Sequence, residues 1–120
     1  MRRTTLLVAM VASVLVLASG VALAANIVGN NQGNLLIGTQ QADNIAGAAG
    51  NDTIRARGGN DRAFGDSGTD NLFGGEGADF LNAADDASGD VIDAGPGLDT
   101  CVRDAGDGAF INCNAVTTVP

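Results

Sequence analysis

The sequence predicts an all-β fold, a parallel solenoid of very short strands joined by glycine-rich turns. Three observations carry this reading. A nine-residue period runs from about Asn26 to Val102, with Gly-rich residues first, Asp sixth and an apolar residue eighth. Within it Asp43, Asp52, Asp61, Asp70 and Asp79 recur every nine residues, and Ile45, Ile54, Ala63, Leu72 and Leu81 follow each of them by two. A fixed short period of this kind indicates a repeat architecture rather than an ordinary globular one. Composition is the third observation. The 120 residues carry a net charge of -8, with 14 acids against 6 arginines, no Lys, His, Trp or Tyr and only four Phe. Hydrophobic content of 45% is concentrated in the first 25 residues and in Ala. So small and acidic a chain cannot build a conventional core, and needs staples such as metal ions or disulfides. The absence of a basic patch disfavours a nucleic-acid partner, whose phosphates need cationic side chains.

Residues 1–24 read as a secretory signal peptide. Met1-Arg2-Arg3 supplies the positive start, Leu6 to Leu23 the apolar run, and Ala22-Leu23-Ala24 a small-residue exit. Cleavage is expected after Ala24, which makes the protein secreted and leaves no membrane attachment. An uncleaved anchor is the competing reading, since roughly 20 apolar residues can span a bilayer. The exit motif running straight into the repeats favours the signal. Without Arg2 and Arg3, four arginines face 14 acids, a net charge near -10.

Repeat units begin at Gly29, Gly38, Gly47, Ala56, Gly65 and Gly74, preceded by Asn26-Ile27-Val28 as a strand without its own turn. The first unit has Asn34 in the Asp position and Leu36 in the apolar one. The unit at Ala56 has only Ala63 inside. Phe64 then either turns inward to compensate, with a local change of register, or points out; the sequence leaves both open. After Asn82 the period slips by two residues, most simply through Ala83-Ala84, and resumes with Asp90 and Ile92. A last unit from Ala94 places Asp99 sixth and Cys101 inward. Residues 25–102 thus form the repeat domain, about four coils, and 103–120 a non-repetitive cap with a polar tail expected to fray.

Each unit divides into six turn-forming residues and three strand residues. Gly at the first and fourth places permits positive φ and close backbone approach. Strand alternation sends one side chain inward and two outward. Two units complete a coil, so Asn34, Asp52 and Asp70 fall in one row and Asp43, Asp61 and Asp79 in another, about 4.8 Å apart along each row. Carboxylates repeated at that spacing repel strongly unless a cation lies between them. Calcium accepts six to eight oxygens at about 2.3–2.6 Å, carboxylates and main-chain carbonyls included.

With that pattern in hand, the sequence resembles the RTX family of hemolysin-type calcium-binding repeats, Gly-Gly-x-Gly-x-Asp-x-apolar-x. Residues Gly74 to Asn82 match in full, while Gly47 to Arg55 and Gly65 to Phe73 match at all but the second Gly. The resemblance spans about residues 29–102. It implies a parallel β-roll, a right-handed β-helix, in which each ion is shared by turns one coil apart. Carried over by position, it pairs Asp52 with Asp70, Asp61 with Asp79 and Asp43 with Asp61, assisted by carbonyls around Gly47, Ala49, Gly65, Ser67, Gly74 and Glu76. Asp90 and Asp99 extend the set, although their partners Asp70 and Asp79 lie 20 residues back instead of 18. The segment from Gly95 through Cys113 also resembles the disulfide-closed end of short secreted members. One departure matters: many members carry a C-terminal export signal, whereas this chain has an N-terminal one and no long appended domain, so no toxin, protease or lipase activity is carried over.

Asp66, Asp85, Asp86, Asp93, Asp104 and Asp107 lie off the sixth position and read as solvated surface charges. Cys101 and Cys113 read as a disulfide in preference to free thiols or metal ligands, because they follow an export signal and no His accompanies them. Catalysis has little support: there is no His or Lys, and Ser67 and Ser88 lack a nucleophile-elbow context. The expected function is therefore secreted calcium binding coupled to folding. The alternative is an adhesin-like module that uses the calcium-stabilised roll to bind extracellular polysaccharide or a cell-surface component, for which Phe73 and Phe80 are the hints. Oligomeric state is left open.

Overall fold

The computed structural model describes residues 23–85 and 87–120, and the signal-peptide reading therefore lies outside the described residues except for Leu23 and Ala24, both exposed. Eleven strands and no helix are found among the described residues. They are β1 (Asn26–Val28), β2 (Leu35–Ile37), β3 (Asn44–Ala46), β4 (Thr53–Arg55), β5 (Arg62–Phe64), β6 (Asn71–Phe73), β7 (Phe80–Asn82), β8 (Val91–Asp93), β9 (Thr100–Asp104), β10 (Phe110–Ile111) and β11 (Ala115–Val119). The first eight are the three-residue segments that end each repeat unit, and β2 to β8 each follow the turn of their own unit.

Odd-numbered strands form one sheet in the order β1-β3-β5-β7-β9-β11, and even-numbered strands a second in the order β10-β8-β6-β4-β2. Every pairing is parallel, which a chain achieves by winding through both sheets once per coil. Register follows the period. Ile27, Ile45, Ala63, Leu81 and Cys101 stack in one inner column, and Leu36, Ile54, Leu72 and Ile92 in the other. Both columns meet in a single buried core, together with Ala56, Ala83 and Ala94. Each buried Leu or Ile contributes roughly 1.5–3 kcal/mol, so this narrow core holds the strands in register without making the protein robust.

Phe64 points outward and the register is unbroken. Ala63 stays fully buried, while the Phe64 ring sits 5.9 Å from that of Phe80 with the Arg62 guanidinium over both, at 5.8 and 5.2 Å. Alternation explains the outcome: turning Phe64 inward by a one-residue slip would carry Arg62 inward as well.

Three expectations need correcting. The coils number about five instead of four, because the non-repetitive end supplies β10 and β11. Nor does the tail fray. Ala115–Val119, rich in Val and Thr, pairs residue for residue with Thr100–Asp104, and Phe110 stands beside Ile92. The slip after Asn82 is also placed differently. Ala83 keeps the first place of its unit, donating its N–H to Val102 as Gly65 does to Asn82, so the two extra residues lie in the turn between Ala83 and Asp90. A turn can absorb residues that a strand ladder cannot.

Cys101 and Cys113 form a disulfide, with Cα atoms 5.9 Å apart. It joins the buried second residue of β9 to the loop between β10 and β11. Two stability changes are expected in denaturant titrations at fixed calcium. Leu72→Ala should cost about 2–5 kcal/mol by leaving a cavity in the inner column. Replacing both cysteines by Ser should cost about 3 kcal/mol, the chain-entropy contribution of a loop this short.

Candidate metal centre

The turns bring the aspartates inside. In five of them the second and fourth residues take positive φ: Ala48 and Gly50 (75° and 92°), Arg57 and Gly59 (81° and 89°), Asp66 and Gly68 (62° and 123°), Gly75 and Gly77 (89° and 115°), Gly95 and Gly97 (82° and 136°). A side chain at the fourth place is excluded on contact grounds too, since a Cβ on Gly77 would collide with the Gly59 carbonyl. The sixth residue points inward from these five turns and equally from the turns before Asp43 and Asp90, which lack the paired positive φ. Asp43, Asp52, Asp61, Asp70, Asp79, Asp90 and Asp99 are all buried, at 0–2% exposure.

One carboxylate oxygen of each is used to bind the coil before it. The Asp52, Asp70 and Asp90 Oδ1 atoms accept the N–H groups of Asn34, Asp52 and Asp70 at 2.7, 2.7 and 2.6 Å. In the other row Asp43, Asp61, Asp79 and Asp99 accept from Ala25, Asp43, Asp61 and Asp79 at 2.7, 2.8, 2.8 and 2.7 Å. The structure thus brings together every pair expected from the period. The two pairs that span the slip have the same geometry as the rest, because the extra residues bulge from the turn before Asp90.

The other oxygen is stranded. Oδ2 of Asp52, Asp61, Asp70, Asp79, Asp90 and Asp99 is buried with no hydrogen-bond partner. Main-chain oxygen lies close by. A Cβ on Gly47 would stand 2.5 Å from both Asp52 Oδ2 and the Gly65 carbonyl, and one on Gly74 would stand 2.6 Å from Asp79 Oδ2 and 2.5 Å from the Ala94 carbonyl. The first-place glycine therefore lets the stranded carboxylate and a carbonyl of the next coil border the same small space. Ala56, Ala83 and Ala94 hold the first place with a methyl group that joins the core.

Burial pushes these carboxylates up. Desolvation is the largest cause throughout, opposed by the N–H bond to the preceding coil and reinforced at most levels by neighbouring aspartates. Asp61 and Asp70 rise to about 7, and Asp79 and Asp90 to about 6. The charges acting on them are all negative, so protons or cations must supply the compensation. The donors are hard oxygens only. No His exists in the sequence, and both cysteines are bonded to each other. Among the described residues no three acidic or thiol side chains converge on a point, so each level offers carboxylate plus carbonyl oxygen. Such a donor set suits calcium, which takes many oxygens in flexible geometry, better than zinc or copper, which favour nitrogen and sulfur.

The remaining expected carbonyl donors sit on the same turns. The N–H groups of Ala49, Ser67 and Glu76 bond to the carbonyls of Asn30, Ala48 and Arg57 one coil earlier. Three features escaped the sequence reading. Asn51 and Asn60, fifth in their units, accept the N–H groups of Thr69 and Ala78 one coil later, both at 2.9 Å. Asn114 ends one carboxylate row by accepting the Asp99 N–H at 2.8 Å, and Asp107 ends the other on the Asp90 N–H at 3.3 Å. Their offsets of 15 and 17 residues fall outside the period. The off-register aspartates are not merely solvated charges: Asp104 is buried and accepts the Asp85 N–H at 2.7 Å, Asp85 accepts that of Gly68 at 2.9 Å, and Asp66 and Asp93 hold Ala48 and Gly95 at 3.2 Å. Glycine-rich turns leave many N–H groups unpaired, and the nearest carboxylate takes them. Asp86 lies outside the described residues.

The fold is thus a parallel β-solenoid whose turns repeat a set of buried oxygen donors. The RTX calcium-binding nonapeptide repeat profile matches residues 28–63, 57–88 and 64–101, with four copies of the repeat, and the chain belongs to that family. No significant match was found among curated proteins or among solved structures. Among the described residues no helix is long and apolar enough to cross a membrane.

Without metal, the raised carboxylates set the sign of the pH dependence. Their stabilising contribution is complete below the unfolded value of 3.8 and is lost as pH rises through about 6 and 7. Circular dichroism of the metal-free protein should show more β structure near pH 4 than near pH 8. Equal or greater order at the higher pH would contradict this account of the ladder.

Proposed function

We propose that the protein is a secreted calcium-binding β-roll in which ion binding completes folding. The six stranded Oδ2 atoms carry this reading. Buried carboxylate oxygens without partners cost several kcal/mol each unless a proton or cation meets them, and at neutral pH a divalent cation is the stronger partner. The proposed ligands are Asp52, Asp61, Asp70, Asp79, Asp90 and Asp99, with main-chain oxygens at Gly47, Ala49, Gly65, Ser67, Gly74 and Glu76. Asp43, taken from the repeat pattern as a further ligand, has a different environment that is considered below.

In this reading residues 1–24 are the leader, 25–102 the ion-binding repeats and 103–120 the closing segment, pinned by Cys101–Cys113. The exposed Leu23 and Ala24 suit processing there. Extracellular modules of this chemistry bind at about 0.1–1 mM, a range in which a chain folds once it meets external calcium. The carboxylates are committed to backbone N–H groups and ions, and no catalysis is assigned. A polysaccharide-binding role has less support. The Arg55 guanidinium lies 5.5 Å from the Phe73 ring and Arg62 covers Phe64 and Phe80, so these rings are already stacked.

Far-UV circular dichroism during a calcium titration at pH 7.5, with magnesium as control, tests the proposal. A calcium-specific gain of β structure is expected, with Asp70→Asn raising the midpoint about tenfold, or 1.4 kcal/mol. A chain already folded in chelator would remove the coupling, and one unresponsive to several millimolar calcium would remove the function. Mass spectrometry of the exported protein should find Ala25 as its first residue.

A further inference from the structure

The turns fall into two classes, and the difference lies in what meets the buried sixth side chain. From Gly47 onward the nine-residue turns have positive φ at their second and fourth residues and leave Oδ2 stranded. The two N-terminal turns do neither. Asn30 and Gln32, and Thr39 and Gln41, are absent from the positive-φ residues, and the second side chain folds back onto the sixth. At the Asp43 level the Thr39 N–H donates to Oδ2 at 2.6 Å, and the Thr39 hydroxyl lies 2.9 Å from Oδ1 and 3.1 Å from Oδ2. The hydroxyl oxygen itself accepts the Gln41 N–H at 3.0 Å, which leaves its hydrogen for the carboxylate. Ala25 N–H serves Oδ1 at 2.7 Å. Both oxygens of Asp43 are therefore satisfied by the chain. In the neighbouring row Asn34 is neutral and closed in the same way: its Oδ1 accepts the Asn30 N–H at 2.8 Å, and its amide donates to Asn30 Oδ1 at 3.2 Å.

We infer that Thr39 takes the place of a cation at Asp43, so that the first turn of each row closes without an ion while the levels from Asp52 to Asp99 require one. This rests on the calcium reading and narrows it to particular carboxylates. The residue at the second place of a unit is the determinant. Ala48, Gly75 and Gly95 have no side chain able to reach the sixth carboxylate. Arg57 and Asp66 are held at φ 81° and 62°, and the carboxylates of their units keep Oδ2 unpartnered. A β-branched Thr is poorly suited to positive φ, and this drives the turn at Gly38 into the self-closed form. The repeat pattern alone marks Asp43 as equivalent to Asp61; the turn chemistry separates them.

Calcium bound per chain, measured by isothermal titration on the purified protein, tests this. Asp43→Asn should leave the stoichiometry of the parent unchanged, whereas Asp70→Asn, in the other row, should lose at least one ion. Thr39→Ser should behave as the parent. Thr39→Gly, which removes the hydroxyl and permits the other turn class, should gain an ion or raise the calcium midpoint for folding. Loss of an ion in Asp43→Asn, matching that in Asp70→Asn, would overturn the inference while leaving the calcium reading intact. A parent that binds no calcium would overturn both. If Thr39→Gly does not fold at saturating calcium, the Asp43→Asn and Asp70→Asn comparison still decides.

Discussion

A carboxylate kept inside a narrow protein, with one oxygen bonded across to the previous coil and the other facing the turn, governs the rest of this structure. The N–H it accepts belongs to the residue at the corresponding place one coil earlier, so the bond ties adjacent coils at the point where turn becomes strand. Strand pairing at the inner columns then follows from that alignment. The glycines at first and fourth places exist because the turn must pass close to this side chain and to the coil beneath it. Hydrophobic burial is subordinate: the inner column includes Ala63 and Cys101, and the first-place alanines add only methyl groups.

The distribution of positive charge supports the same constraint. Arg55, Arg62 and Arg103 stand over Phe73, Phe64 and Phe80, and Phe110 on the outer strand faces. Stacked there, they lend their aliphatic stems and guanidinium planes to the aromatic surface and do not compensate the buried row. An arginine reaching the aspartates would remove the need for any external cation. Their placement on the strands, pointing away, preserves it.

Much of this was legible in the sequence because the period encodes it directly. The aspartate rows, the inner columns and the three-residue strands all repeat at nine, and the 18-residue coil follows from two units. What was not legible depends on interactions that do not repeat. The five-residue pairing of Ala115–Val119 with Thr100–Asp104 has no Gly-Asp turn to announce it. The two-residue slip looked able to disturb the Asp90 and Asp99 levels, yet the turn absorbs it because only the strand and the sixth residue are held. Asp104 and Asp107 look like surface charges in a list of acids, and only the N–H groups they accept explain the burial of Asp104 and the bonding of both. Thr39 is a single deviation in a degenerate unit, and its meaning appears only when its hydroxyl is seen against Asp43.

The bonds of the sixth-place carboxylates all point the same way. From Asp43 to Asp79 each sixth-place N–H is served by the sixth-place carboxylate 18 or 20 residues downstream. A polypeptide made from its amino end therefore cannot finish any of these levels until the following coil has been synthesised, and the Asp99 level waits in the same way for Asn114. The assembly has an arrow. The open N–H group of each sixth residue is met only by the coil that follows it.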